Sequence, residues 1–398
     1  MNLVQKTLDE INKDAQYGIS VILPDGKKYG NGKNIVIIKN KQALSDIIKD
    51  IEIGFCENYL HKNIEIKVSL EEVIIDALRF SNKFEMKKNF KYYLFNTYKK
   101  LLKLLNKDVQ QEIKNIQYHY DLDNDFYKKW LDESMTYSCG FFENKNMTLK
   151  DAQELKRKII YEKLLLKKDD IFLDIGCGWG SIIIEAAKKI GCKSIGITLS
   201  QNQYEYIVDL INREGLDDKV EVHMMHYKDL VNFKYKFTKI VSVGMFEHVG
   251  RENLNDFFKT VKKVMTDDGL FLLHYIGKIE TVVNQQNWIT KRIFPGGYLP
   301  SLEEIFPIIR KNRFGFIDLD NWRMHYYYTL KEWYKRFSNI KEYVIQRFGE
   351  EFYRMWELYL LGSAALFYIG DIYLFQILIS KKVNNDYPII ERKILKNS

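Results

Sequence analysis

Proline is scarce in this chain, with five in 398 residues, and long Pro-rich linkers are thereby excluded. Cysteine is scarce as well. Cys56, Cys139, Cys177 and Cys192 are the full set, with no Cys-x-x-Cys spacing. That excludes a disulfide framework and fits a reduced, cytoplasmic compartment. The first residues, Met1 to Asp14, are polar and helical in pattern and hold no apolar signal core. There is no internal repeat. The longest apolar run, Leu358 to Ile379, is broken by Gly362, Gly370 and Asp371. It reads as a buried helix to about Ile369, then a strand, Ile372 to Ile379, rather than a membrane span.

What is present is 46% hydrophobic residues, enough for a packed core, on a chain long enough for one large or two modest domains. The net charge is +8. An anionic partner, nucleic acid or an acidic lipid surface, would suit it, and so would a merely Lys-rich composition. From Met86 to Lys107 there are seven lysines and no acid, interleaved with Phe90, Tyr92, Tyr93, Phe95, Tyr98 and several leucines. This basic amphipathic stretch suits an anionic bilayer surface, or is a linker helix docked by its apolar face.

Residues 1–85 read as a small α+β unit. Ile19 to Leu23 is strand-like, Pro24-Asp25-Gly26 is a turn, and Ile35 to Ile38 is a further strand. Leu44 to Lys49 and Leu70 to Phe80 are helical. Residues 86–118 form the basic linker. Residues 119–398 alternate strand and helix. The strand candidates are Ile171–Asp174, Ser194–Ile197, Val220–Met224, Lys239–Val243, Leu270–Tyr275, Phe316–Leu319 and Ile372–Ile379. Helical patterns start from Ser181, Gln201, Leu254 and Leu302. The alternation implies a doubly wound, mainly parallel seven-stranded α/β sheet, with ligands at the strands' C-terminal ends. An extra piece at about 277–304 interrupts it and is placed to wall a substrate site.

The richest motif is Leu173-Asp174-Ile175-Gly176-Cys177-Gly178-Trp179-Gly180, a strand, a glycine turn and a helix start. Such a turn lets a ligand approach the backbone and the free N–H groups of the helix behind it. It is not the Gly-x-Gly-x-x-Gly of dinucleotide binders, and a plain strand–helix turn is the alternative. Further segments lie around it. They are His119-Tyr120-Asp121-Leu122, Met135-Thr136-Tyr137-Ser138-Cys139-Gly140, Ile197-Thr198-Leu199-Ser200-Gln201-Asn202-Gln203, and Val241-Ser242-Val243-Gly244-Met245-Phe246-Glu247-His248. Then come Leu272-Leu273-His274-Tyr275-Ile276-Gly277, Ile293-Phe294-Pro295-Gly296-Gly297 and His325-Tyr326-Tyr327-Tyr328-Thr329.

In this order the segments resemble the cyclopropane-fatty-acyl-phospholipid synthases and the related mycolic acid cyclopropane synthases, over about residues 35 to 380. The resemblance implies a class I S-adenosylmethionine-dependent methyltransferase fold. It implies cofactor contacts from Gly176, Cys177, Gly178 and Gly180 with Asp174, from Tyr137 and Ser138, from Thr198, Leu199 and Gln203, and from Tyr227 under the adenine. It also implies a bicarbonate held by Cys139, Glu247, His274 and Tyr326 and the backbone N–H of Ile276. That ion would take a proton from the methyl delivered to a cis double bond, closing a cyclopropane ring. No metal is implied. A homodimer, peripheral on the inner face of the membrane with no nucleic-acid partner, is implied as well.

Each of these residues has a plainer reading. Cys139 suits a core thiol, Glu247-His248 a helix cap, His274 a structural histidine and Tyr326–Tyr328 strand packing. Only the joint pattern favours chemistry, and it favours it for Cys139, Glu247, His274 and Tyr326. The N-terminal unit departs from the family, reading Gly54-Phe55-Cys56-Glu57-Asn58-Tyr59 where relatives carry Gly-Leu-Gly-Glu-Ser-Tyr. Ser363 stands where many relatives have a cysteine, which argues against a covalent cysteine there. The rival activities are methyl-branched, methylene or hydroxylated products of the same cation, a small-amine N-methyltransferase, and a non-catalytic lipid binder.

Overall fold

In a computed structural model of the chain, residues 3–81, 123–282 and 287–388 are described. The basic stretch 86–107 lies outside them. The N-terminal unit is a four-stranded sheet of β1 (Ile19–Ile22), β2 (Lys28–Tyr29), β3 (Asn34–Ile38) and β4 (Ile64–Lys67), in the order β2-β1-β3-β4. In β3, Val36 and Ile38 alternate inward, the period of a half-buried strand. Asn40 caps the helix Lys41–Lys49, and Asp50 caps a second helix, Ile51–Leu60. That second helix and β4 were not expected. A helix over 70–81 packs behind, and its buried Asp76 accepts the N–H groups of Gln16 (2.8 Å) and Gly18 (2.8 Å), fixing the entry to β1.

The second sheet has seven strands. They are β5 (Ile171–Ile175), β6 (Lys193–Thr198), β7 (Val220–Met224), β8 (Phe237–Val243), β9 (Met265–Gly277), β10 (Gly315–Asn321) and β11 (Tyr373–Ser380). Their order is β10-β11-β9-β8-β5-β6-β7. All pairings are parallel except those of β11, which runs antiparallel between β9 and β10. Central β5 is apolar on both faces, with Phe172 and Leu173 fully buried, as a strand covered by helices on both sides must be. The expected helices begin at Ser181, Gln201, Leu254 and Leu302. The segment from 323 to 369 is three helices, Arg323–Asn339, Lys341–Phe348 and Glu350–Ile369. Tyr326–Tyr328 are therefore helical, and their reading as strand packing is corrected. Among the described residues no helix is long and apolar enough to cross a membrane.

Candidate active site

The C-terminal ends of β5, β6 and β8 open onto a cleft with about 1010 Å³ of space free of protein atoms, the solvent at its mouth included. The turn after β5 is pinned to β6, since the N–H groups of Gly176 and Cys177 both donate to the Ile197 carbonyl at 3.0 Å. Gly176 has φ +86°, and a Cβ there would lie 2.5 Å from the Met245 side chain. Gly178 has φ +54° and nothing within 4 Å of where a Cβ would stand. Its backbone is what a ligand meets. Tyr137, Ser138, Asp174, Cys177, Thr198, Leu199, Gln203 and Tyr227 line the same cleft. Gly180 is not on its wall. It precedes the helix Ser181–Lys189 in the left-handed conformation and faces Ile207, 3.0 Å from a Cβ, so it serves helix packing rather than contact with a cofactor.

The cleft's polar groups fit S-adenosylmethionine. Asp174 is buried with Oδ1 unpartnered, and burial pushes its carboxyl up to about 7. A carboxylate in that position is stabilised by a cationic or hydroxyl-bearing ligand. The Thr198 hydroxyl donates to Gln203 Oε1 (2.7 Å), which commits the amide oxygen and turns the Gln203 NH₂ into the donor for a ribose-like hydroxyl. The His226 and Tyr227 rings lie 4.4 Å apart, an aromatic surface for a base. His248 also lines the cleft, its imidazole pushed down to about 4 by burial. Sequence reasoning assigned it no role.

The segment Tyr137–Phe141 is strapped down on both sides. Gln153 Nε2 donates to the Ser138 carbonyl (2.7 Å), and Lys156 Nζ donates to Ser138 Oγ (2.8 Å). The Phe141 N–H donates to the Ala152 carbonyl (2.9 Å), and the Gly140 N–H to Thr329 Oγ1 (2.9 Å). Cys139 sits inside the strap, fully buried, its Sγ–H donating to the Gly140 carbonyl (3.1 Å). Burial pushes its thiol well above the usual range, so it is a thiol and not a thiolate. Lys156 is buried completely, and burial, with Arg157 beside it, pushes its amine down to about 7. Neither Gln153 nor Lys156 was expected from the sequence.

The remaining expected residues, Glu247, His274 and Tyr326, lie off the wall of the cleft. Glu247 is in the single turn Phe246–His248 after β8. Its Oε1 accepts the Ile276 N–H (2.7 Å), its Oε2 is buried without a partner, and burial raises the carboxyl to about 7. The Ile276 N–H is therefore satisfied by Glu247 and not left open for an anion, a correction to the expected ligand set. His274, on β9, is 1% exposed. Its Nδ1 meets Gln376 Nε2 at 3.0 Å and its Nε2 has no partner. Burial, with Lys156 and Lys163 nearby, holds the ring neutral, well below its ordinary pKa. Tyr326 lies in the helix that also carries Thr329, whose hydroxyl approaches Cys139 Sγ at 4.0 Å. Trp322 ties the parts together, its ring edge-on to His274 (5.4 Å) and to Phe141 (4.8 Å).

A run of aromatic rings extends from Tyr137 on the cleft through Trp333 to Tyr326. The Tyr137 and Tyr359 hydroxyls bond at 2.8 Å. The Tyr137 ring is 5.1 Å from Trp333 and 5.4 Å from Trp130, and Tyr326 is 6.0 Å from Trp333. Phe294 of the insertion meets Tyr359 at 5.6 Å. Ring faces of this kind stabilise positive charge in a dry site. The insertion is in turn fixed to the N-terminal unit. Trp288 Nε1 donates to Glu57 (3.0 Å), and Arg292 pairs with the same carboxylate. Glu57 is one of three residues of the divergent N-terminal motif, with Gly54 and Tyr59, that match the relatives' run.

Comparison with known proteins decides the family. The sequence model described as mycolic acid cyclopropane synthetase matches residues 107–377, and a domain of unknown function matches residues 8–89. The cyclopropane-fatty-acyl-phospholipid synthase of Escherichia coli K12 is 34% identical over 360 residues, 89% of this chain and 90% of that one. The chain belongs to the cyclopropane synthase family. It is an S-adenosylmethionine-dependent methyltransferase of lipid methylene transfer. The sphingolipid C9-methyltransferase of Komagataella phaffii is 29% identical over 83% of this chain and 70% of that one. Among solved structures, a mycolic acid cyclopropane synthase complexed with SAH and CTAB superposes with TM-score 0.63 and 32% identity, covering 67% of this chain and 98% of that chain. Coclaurine N-methyltransferase, at 18% identity over 85% of this chain and all of its own, has the same TM-score of 0.63 and shows the shared fold.

Proposed function

We propose that this synthase transfers a methylene group from S-adenosylmethionine to the cis double bond of an unsaturated acyl chain in a membrane phospholipid, forming a cyclopropane ring. We propose too that bicarbonate is the base. The observation that carries this reading is two orphaned buried polar atoms, Glu247 Oε2 and His274 Nε2, neither on the wall of the cofactor cleft. Buried polar atoms left unpaired are costly, and a small ion that both donates and accepts would supply what each of them lacks.

S-adenosylmethionine, when bound, supplies an electrophilic methyl, and bicarbonate supplies the proton acceptor. The chain's own groups do the rest. Asp174, Gln203 and the glycine turn hold the donor. Glu247 Oε2 would accept the O–H of the ion and His274 Nε2 would donate to it, and Cys139 and Tyr326 are the other side chains that would hold it. Tyr137, Trp333 and Tyr326 offer ring faces to the positive charge that develops on the acyl chain. The buried wall keeps water from quenching that charge. The charge of +8 and the basic stretch 86–107 support an anionic bilayer as the surface from which acyl chains are drawn.

The test is incubation of the full chain with cofactor and vesicles of unsaturated phosphatidylglycerol and phosphatidylethanolamine. Mass spectrometry is expected to show a gain of one methylene per acyl chain, and NMR a cyclopropane ring. The rate should fall in carbonate-depleted buffer and recover on adding bicarbonate. No mass gain would sink the lipid reading. A branched or unsaturated product would assign the cation a different fate.

A further inference from the structure

His274 stands in a row across three neighbouring strands. Its Cα partner on β11 is Gln376, and the Cα partner of Gln376 on β10 is Asp320. Side chains opposite one another in this way share one face of the sheet. Lys163, at the end of the helix Leu149–Lys163, reaches down onto that face. Its Nζ lies 2.9 Å from Gln376 Oε1 and 3.3 Å from Asp318, and it pairs with Asp320. Gln376 is fully buried, so its amide has no water to turn to.

The chemistry of Lys163, Gln376 and His274 leaves one arrangement. An ammonium only donates, so the atom of Gln376 facing Lys163 is the carbonyl oxygen. The NH₂ then faces His274 Nδ1 at 3.0 Å and donates to it. A neutral imidazole whose Nδ1 accepts carries its proton on Nε2. We infer that Gln376 is a positioning residue that, oriented by Lys163, fixes His274 as the Nε2–H tautomer. The unpartnered Nε2 is thus a donor with a fixed direction and no lone pair to offer. His274 can bind an oxygen of an anion and cannot take the methyl proton. The neutrality of the ring agrees, since both nearby lysines oppose a second proton. The catalytic consequence rests on the anion proposed above, while the tautomer does not.

The experiment is ¹⁵N NMR of the full-length protein labelled at histidine, with the His274 ring identified by its loss in His274→Gln. In the wild type, near neutral pH and without cofactor, Nε2 should show a bound proton and Nδ1 should not. Gln376→Glu puts a carboxylate between Lys163 and Nδ1. Glutamate has nearly the shape and volume of glutamine, so the chain should fold, and the carboxylate should move the proton to Nδ1. The lost donor should lower kcat about 100-fold, the scale of removing one preorganised donor, with KM for the cofactor within about twofold. A wild-type ring protonated at Nδ1 or at both nitrogens overturns the inference. So does a Gln376→Glu ring that keeps its proton on Nε2. A wild-type Nε2–H in an enzyme whose rate ignores bicarbonate supports the tautomer and removes the anion reading instead.

Discussion

On one side of the Glu247 turn lies the cofactor cleft, open to solvent and shaped largely by backbone, namely the turn after β5, the ends of β6 and β8, and glycines at positive φ. Off its wall lies the proposed anion cage, the buried Cys139, Glu247 and His274 with the half-buried Tyr326, with orphaned atoms on Glu247 and His274 and aromatic rings beside Tyr326. The first is made largely of backbone, and backbone of this fold survives wide change in sequence, since a chain only 18% identical superposes as well as a cyclopropane synthase does. The second depends on particular side chains at particular strand ends. The shape of the cleft thus belongs to the fold, and the cage belongs to a few residues.

The sharpest way to break this division is Glu247→Gln. The amide keeps an oxygen for the Ile276 N–H and nearly the same volume, so the turn Phe246–His248 should stand. What is lost is the second acceptor atom toward the cage. We expect kcat to fall by about 10²–10³-fold, as for other preorganised groups aimed at developing charge. Titration calorimetry should find the cofactor's Kd within about twofold of wild type. Parallel loss of both would mean that cleft and cage are one unit.

The same substitution separates the two regions by pH. The Glu247 carboxyl is raised by burial from 4.5 to about 7 in the folded protein. Below pH 4.5 folded and unfolded chains both hold the proton, and the group costs nothing. Between pH 4.5 and 7 the unfolded chain ionises first, and stability falls as pH rises. Above pH 7 the full cost of ionising a buried carboxylate is present, about 3 kcal/mol. Urea denaturation without cofactor should show wild type losing up to that amount relative to Glu247→Gln between pH 5 and 7.5. Parallel pH profiles would show that the cage tolerates a bare carboxylate.

How much of this was legible in the sequence follows from the same contrast. Helix starts were readable because their caps are local. Ser200 accepts from the Gln203 N–H, and Ser301 forms a capping box with Glu304. The glycine turn and its companion segments were readable as linear motifs. The place of β11 between β9 and β10 was not, because strand order is decided by long-range packing that leaves no local trace. β9 begins five residues before the expected Leu270, because Asp267 and Asp268 look like loop and are the strand's exposed start. In the cage, Glu247 and His274 could be named only through a family pattern, and Gln376 and Lys163, which orient His274, could not be named at all. Gln376 lies in an apolar strand, where one amide reads as an interruption. Lys156 lies in Leu149-Lys150-Asp151-Ala152-Gln153-Glu154-Leu155-Lys156-Arg157-Lys158, which has the charge pattern of a solvated helix. Its burial comes from Tyr137–Phe141 lying across it.

Lys156 touches both regions, and for that reason Lys156→Met sharpens the comparison most finely. Its nitrogen donates to Ser138, whose side chain lines the cleft, and its charge acts on Asp174 in the cleft and on Cys139 and His274 in the cage. Methionine fills the same volume without the amine, so the helix Leu149–Lys163 should stay packed while Ser138 loses its anchor. One hydrogen bond at this depth contributes about 1–1.5 kcal/mol, hence roughly a tenfold rise in KM for the cofactor. Because the one bond the amine makes is to a cleft residue, kcat should change less than about threefold. Steady-state kinetics at saturating lipid separates the two constants. If kcat falls and KM holds, the buried ammonium acts on the cage, where it would balance the charge of a bound anion, and the boundary between the two regions moves from Cys139 to Ser138.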